Sequence, residues 1–182
     1  MILHELISYD VLRVIWWALL GALLVGFAVM DGFDLGAAAL LPFVARTDLE
    51  RRVVINSVGP VWEGNQVWLV VGAGSIFAAW PALYAVSFSG MYFAMFAALA
   101  PLILRPVAFK FRSKREDTGW RQRWDGVLCI SGFVPAVIFG VAMGNVIQGV
   151  PFRFEPDMRP VYEDTFFGLL NPYALIAGCL SL

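Results

Sequence analysis

The chain contains the stretch VLCISGFVPAVIFGVAMGNVI, from Val127 to Ile147, in which no side chain is charged. A transmembrane helix needs about 20 mostly apolar residues to cross a hydrocarbon core of roughly 30 Å. The stretch has that length, and it is preceded by Trp120 and Trp124, which are typical anchors at a membrane interface. It therefore predicts a membrane-spanning helix.

The composition of the whole chain agrees with this prediction. Of the 182 residues, 60% are hydrophobic and only 15% are charged, and the mean hydropathy is +0.74. A typical soluble domain has about 45–50% apolar and about 25% charged residues, so a water-soluble, disordered or disulfide-stapled chain is excluded. The formal net charge of −1 argues against a nucleic-acid partner, because no basic excess is present to neutralise phosphates.

Four other stretches are apolar enough to cross a membrane. They are Val11–Met30, Val53–Trp80, Ala82–Leu104 and Phe166–Leu182. The pair Trp80-Pro81 marks a tight turn between two of them. We therefore predict an all-α fold, a polytopic transmembrane helix bundle of about five spans that forms one integral-membrane domain over residues 1–182.

Basic residues indicate the orientation, because short loops rich in Lys and Arg stay in the cytoplasm. The segment Arg105–Arg123 holds seven basic residues against two acidic ones. Arg46, Arg51 and Arg52 lie between the first two predicted spans, whereas the segment Pro151–Thr165 is acidic on balance. With five spans, the N-terminus lies outside and both basic segments face the cytoplasm.

Polar residues interrupt the second predicted span. They recur every three or four positions and therefore share one face of a helix: Asn56, Pro60, Glu63 and Gln66. An ionisable side chain inside a span is costly, which makes Glu63 a functional candidate. The set either handles protons or forms a hydrogen-bonded cluster that joins helices. Proton handling is favoured, because a carboxylate is a poor choice for joining helices alone.

Two more carboxylates follow the first predicted span. Asp31 and Asp34 are three positions apart and so share a helix face, at the predicted cytoplasmic end of that span. They either collect protons from the cytoplasm or lie in the solvated interface.

Few residues of the chain could bind a redox metal. Haem iron in membrane helices usually takes His or Met ligands, and the only histidine, His4, precedes the first span. Bis-histidine ligation of a haem within this chain is therefore excluded, and any iron must be carried by another chain. Cys129 and Cys179 lie in apolar runs without metal-ligand spacing and are expected to be small buried residues.

Several motifs resemble those of one known family. They are GFAVMDGFDLG (26–36), PVWEGNQVW (60–68), FAAWP (77–81), RPV (105–107), RSK (112–114) and GNVIQGVPF (144–152). Together they are similar to subunit II of cytochrome bd-type quinol oxidases, from about Tyr9 to the last residue. Members of that family are about twice as long, so that the chain resembles the N-terminal half of an eight-span subunit.

The resemblance implies a function within a larger complex. Such oxidases, in the bacterial cytoplasmic membrane, oxidise quinol and reduce dioxygen to water. The haems, of type b and type d or a b-type substitute, are bound by subunit I. Subunit II binds none, stabilises the heterodimer and helps conduct cytoplasmic protons. The resemblance also implies three further partners, namely a small accessory subunit, membrane lipid and quinone.

The same resemblance assigns roles to particular residues. Glu63 takes the position of an acidic residue on the proton route, and Asp34 and Asp31 resemble further acidic members near it. Supporting polar and aromatic positions are Trp62, Asn65, Gln66 and Asn56. Many members have His-Trp-Asp where this chain has Val61-Trp62-Glu63, so the resemblance does not extend to a relay assisted by histidine. No catalytic or metal-ligating residue is assigned to this chain.

Two other classes of function remain open at this point. One is a fragment of a secondary transporter, in which Pro60, Glu63 and nearby glycines would form a substrate site on a broken helix. The other is a purely structural membrane partner subunit without a transport role.

Overall fold

A computed structural model describes residues 7–157, 160–162 and 166–182. The first helix, α1 (Tyr9–Val44), has 36 residues and is about 54 Å long at about 1.5 Å per residue. The predicted end of the first span at Met30 was wrong, because the helix continues through Asp31 and Asp34. Both carboxylates face other helices of the bundle, so they need not end the helix at the membrane surface.

The second predicted span is two helices rather than one. Helix α2 (Asp48–Val58) begins at a capping box, in which the side chains of Thr47 and Glu50 each accept a backbone hydrogen bond of the other residue. A turn at residues 59–61 separates it from α3 (Trp62–Ala79). Pro60 has no N–H to donate to the carbonyl of Asn56, so the helical hydrogen-bond pattern is interrupted at this residue, which explains the break. The prediction of one continuous polar face from Asn56 to Gln66 was therefore wrong.

The third predicted span is also divided. Trp80 ends α3, as predicted for the Trp80-Pro81 turn, and α4 (Pro81–Gly90) follows at once. Helix α5 (Tyr92–Phe111) begins after Met91 and extends past the predicted end at Leu104.

Helix α6 (Thr118–Gln148) is the centre of the bundle, since it packs against α1, α5 and α7. It begins nearer the N-terminus than predicted, where the Asp117 carboxylate accepts the backbone N–H groups of Gly119 and Trp120. It ends at Gly149, whose φ of 88° suits a residue without a side chain.

The C-terminal part adds a small hairpin and a short helix. Strands β1 (Phe152–Phe154) and β2 (Pro160–Tyr162) pair antiparallel. Helix α7 (Pro172–Leu180) lies against α6, where Gly144 leaves room for Ala174. Cys129, on α6, is half-buried and donates to the carbonyl of Ala39, whereas Cys179 is exposed on the chain, contrary to the prediction for it.

The all-α bundle is confirmed, with the two-stranded hairpin as an addition. Within the described residues, three helical segments are long and apolar enough to cross a membrane: Tyr9–Val44, Tyr92–Lys114 and Thr118–Gln148. The number of five spans and the orientation stay predictions. Helices α1 and α3 run antiparallel, because the ring of Trp17, near the start of α1, lies 4.7 Å from the ring of Trp80, at the end of α3.

Single cysteines will test the orientation. In a background without Cys129 and Cys179, Lys114→Cys should react with a membrane-impermeant maleimide only after the membrane has been permeabilised, so that the reagent reaches the cytoplasmic side. Glu155→Cys should react in intact cells, because the two positions flank α6 and are predicted to lie on opposite sides of the membrane. The reverse labelling pattern would show that the orientation is opposite to the predicted one. Equal labelling of both cysteines would mean that α6 does not cross the membrane.

Candidate functional site

Helix α1 brings two carboxylates into the interior of the bundle. Asp31 is 0% exposed and Asp34 is 2% exposed. The alternative that they lie in a solvated interface is therefore wrong for this chain. A buried carboxylate needs a cation or hydrogen-bond donors to offset the loss of hydration, and the structure provides a different partner for each.

Asp31 is paired with Arg105, which lies on α5. The Arg105 Nη1 atom donates to Asp31 Oδ1 at 3.0 Å, and the arginine side chain is 1% exposed. Sequence reasoning counted Arg105 among the cations of a cytoplasmic loop, which was wrong. The position of Arg105 in the sequence could have indicated its burial. It is the one charged residue in an apolar run, directly before Pro106, and it belongs to one of the family motifs.

Asp34 is held by an amide from α3. The Nδ2 atom of Asn65 donates to Asp34 Oδ2 at 3.0 Å, and Asn65 is buried. Three helices thus meet at one polar cluster, which we call the carboxylate cluster: Asp31, Asp34, Asn65 and Arg105. Of the predicted site residues, the structure brings together Asp31, Asp34 and Asn65.

The carboxylate cluster keeps unused hydrogen-bonding capacity. Among the described residues, no partner is found for Asp31 Oδ2, Asp34 Oδ1, Arg105 Nε and Arg105 Nη2, all of which are buried. Buried polar atoms in proteins are nearly always hydrogen-bonded, to protein or to water. The cluster is therefore chemically suited to bind water or to exchange a proton.

The other predicted residues lie outside this cluster. Glu63, in the first turn of α3, is exposed on the surface of the chain, and Gln66 is half-buried. The ring of Trp62 stacks on that of Phe109, with centroids 5.7 Å apart. Asn56 is exposed on α2. On this part of α3 the inward-facing polar side chain is Asn65, two positions after Glu63.

A second polar cluster joins the ends of three helices. Asp125, on α6, accepts from Arg51 at 2.9 Å and from Arg112. Asp48 accepts from Arg112 and Arg121, each at 2.9 Å. Burial alone would raise the pKa of Asp48, but the hydrogen bond and charge of Arg112, with the charges of Arg121 and Arg52, outweigh it and lower that pKa. The cluster ties α2 and α6 to the end of α5.

The described residues contain no group of three or more His, Cys, Asp or Glu side chains that could hold a metal ion. His4, the only histidine of the sequence, lies outside the described residues.

Comparison with known proteins agrees with the motifs. The chain matches the family model for cytochrome bd terminal oxidase subunit II over residues 12–182. It is 54% identical over 177 residues to cytochrome bd-I ubiquinol oxidase subunit 2 of Escherichia coli, covering 97% of this chain and 47% of that protein. It is 37% identical over 164 residues to cytochrome bd ubiquinol oxidase subunit 2 of Bacillus subtilis, covering 90% of this chain and 47% of that protein.

The chain spans about half the length of the curated relatives it matches. The motifs at residues 26–36 and 60–68 supply Asp31, Asp34 and Asn65 of the carboxylate cluster, and Arg105 begins a third motif. The matched region thus includes every residue of that cluster. On sequence and architecture together, the chain belongs to the cytochrome bd terminal oxidase subunit II family.

Proposed function

We propose that this chain acts in a quinol-oxidising, oxygen-reducing membrane complex and conducts protons toward the site of oxygen reduction. The observation that carries the proposal is the buried carboxylate cluster. Two carboxylates, one guanidinium and one amide meet there at the junction of α1, α3 and α5. Ionisable groups at membrane depth are costly and usually mark a pathway for ions or protons.

The names of the relatives support the chemistry of the complex. They are ubiquinol oxidase subunits, which favours a quinol as the substrate and a haem-bearing subunit I as the partner. Haems of types b and d, or a b-type substitute, would supply electron transfer from quinol to dioxygen in that partner. The bacterial relatives favour the cytoplasmic membrane as the location. Family membership removes the support for a transporter fragment.

Reduction of dioxygen to water consumes one proton for each electron, so the complex needs a route for protons. The ion pair with Arg105 holds Asp31 in place at 3.0 Å. Among the described residues, Asp34 is bound through one oxygen, by the neutral amide of Asn65, and its other oxygen is available to a proton or a water molecule. The two carboxylates lie one helix turn apart, a spacing that allows transfer between them through water.

Glu63 extends this route to the surface of the chain. It is exposed on α3, while Asn65 on the same helix faces the carboxylate cluster. An exposed carboxylate on a membrane helix needs a polar partner outside the chain. We therefore place Glu63 against subunit I, where it passes protons between the two subunits, with Trp62 and Gln66 beside it.

Replacing the carboxylates by amides tests the proposal. Glu63→Gln and Asp34→Asn keep shape and hydrogen bonding but remove the exchangeable proton. Each should leave an assembled complex with normal haem content, while oxygen reduction per haem falls by about 10²-fold, the usual contribution of a positioned proton-transfer group. Proton uptake should be impaired to the same degree. Glu63→Asp should keep part of the activity, because the carboxylate remains.

A structural role is the specific alternative, since the Asp31–Arg105 pair joins α1 to α5. It predicts that the amide variants turn over normally and that Glu63→Ala lowers assembly and haem content together. Glu116→Gln, in an exposed loop, is the matched control and should turn over at the native rate. Native turnover per haem in Glu63→Gln would remove Glu63 from the route, and native turnover in Asp34→Asn would do the same for Asp34.

A further inference from the structure

We propose that a cavity at the basic end of the bundle binds the phosphate group of an anionic phospholipid. The cavity, of about 270 Å³, lies between α2 and the end of α5. Its polar lining includes Arg52, Asn56, Arg112 and Ser113, and its apolar lining includes Val53 and Phe109. The proposal does not depend on the proton route or on the oxidase function.

The charges around the cavity leave an excess of positive charge. Three guanidinium groups of the second polar cluster, those of Arg51, Arg112 and Arg121, face only two carboxylates, those of Asp48 and Asp125. Because its pKa is lowered, Asp48 is ionised at neutral pH. The cluster therefore carries one uncompensated positive charge beside the cavity.

Arg52 adds a second positive charge at the cavity wall. It is exposed, and no carboxylate among the described residues forms an ion pair with it. The charge of Arg52 acts on the nearby Asp48, but both oxygens of that carboxylate are already bound, one by Arg112 and the other by Arg121. The Arg52 guanidinium is therefore free to bind an anion, and a phosphate oxygen pair matches its planar, forked donors.

The remaining lining suits a lipid better than a soluble anion. Asn56 and Ser113 can donate to phosphate oxygens, whereas Val53 and Phe109 offer apolar contact to a glycerol or acyl segment. The cavity adjoins the end of α5, on the side that the distribution of basic residues predicts to be cytoplasmic. Basic pockets between membrane helices on that side commonly bind anionic headgroups.

The test measures the affinity of the purified, detergent-solubilised complex for added lipid. Native mass spectrometry counts the phosphatidylglycerol molecules that bind from mixed micelles, and phosphatidylcholine micelles serve as the comparison. The affinity for phosphatidylglycerol should fall about fivefold in Arg52→Gln, the usual effect of one basic residue at a membrane surface. It should stay near native in Arg52→Lys. Phosphatidylcholine binding should not depend on Arg52.

Arg123→Gln is the matched control, because Arg123 is an exposed arginine that does not line the cavity. Its lipid affinity should be native. Equal losses in Arg52→Gln and Arg123→Gln would show attraction by general surface charge and overturn the proposal. Displacement of the lipid by millimolar inorganic phosphate, with the same dependence on Arg52, would identify a soluble-anion site and overturn the lipid assignment. The elution volume of each variant in size-exclusion chromatography verifies assembly.

Discussion

Arg105→Leu is expected to prevent stable accumulation of the chain. The substitution leaves Asp31, which is 0% exposed, without its cation at 3.0 Å. Removing one partner of a buried ion pair costs about 3–5 kcal/mol, because an uncompensated charge remains in a medium of low polarity. That is a large part of the roughly 5–15 kcal/mol by which folded domains are usually stable. Accumulation in the membrane and elution in size-exclusion chromatography measure the loss.

A double variant separates charge balance from the presence of an ion pair. Asp31→Asn with Arg105→Met leaves no buried charge, and it should restore much of the accumulation that either single change removes. Lys110→Leu, an exposed position on the same helix, should have little effect. Native accumulation of Arg105→Leu would mean that Asp31 does not depend on Arg105. A double variant that assembles but turns over slowly per haem would separate the pair's functional role from its structural one.

Gly132→Ala is expected to destabilise the contact between α1 and α6. A Cβ atom at this position would lie 2.6 Å from the backbone nitrogen of Ala39 and would clash with the carbonyl oxygen of Leu35. Backbone atoms of a packed helix cannot yield as the end of a flexible side chain can, so the helices must separate. Overpacking of this kind typically costs about 1–3 kcal/mol. Thermal unfolding followed by size-exclusion fluorescence should show a lower midpoint.

Gly126→Ala, on the same helix, is the matched control, since a Cβ there meets no atom within 4 Å. Replacing a helical glycine by alanine at an open position should be neutral or stabilise by about 0.5–1 kcal/mol. Because the two substitutions are chemically identical, opposite shifts in the unfolding midpoint can be assigned to the contact between α1 and α6. A native midpoint for Gly132→Ala would show that α1 and α6 are farther apart than the structure has them.

The helices of the bundle were largely predictable, because apolar runs of sufficient length are a local property. The uncharged run Val127–Ile147 lies within α6, and Trp80-Pro81 separates α3 from α4. Helix ends were less predictable. A hydropathy pattern ends the span before Asp31, because it counts every carboxylate as unfavourable in the membrane. The free-energy cost of burying a charge also depends on whether a partner of opposite charge lies beside it.

The residues of the candidate site were predictable in part. Asp31, Asp34 and Asn65 stand in motifs that carry a family resemblance, which is why they could be named. Arg105 was assigned to a loop, since a count of basic residues does not distinguish a solvated cation from a buried one. The prediction that Asn56 and Glu63 share one helix face was wrong, because it assumed a continuous helix through Pro60. The structure has a break there, between the end of α2 and the start of α3.

The sequence by itself determined the membrane class, the helical architecture and the family, because composition, apolar length and local motifs are sufficient for each. Only the tertiary structure decided that Asp31 is paired with Arg105, 74 positions away, that Asn65 and not Glu63 faces Asp34, and that a basic cavity lies beside Arg52. These outcomes depend on how α1, α3 and α5 pack, and the partner of a buried charge is decided by proximity in space, which no local pattern of residues specifies.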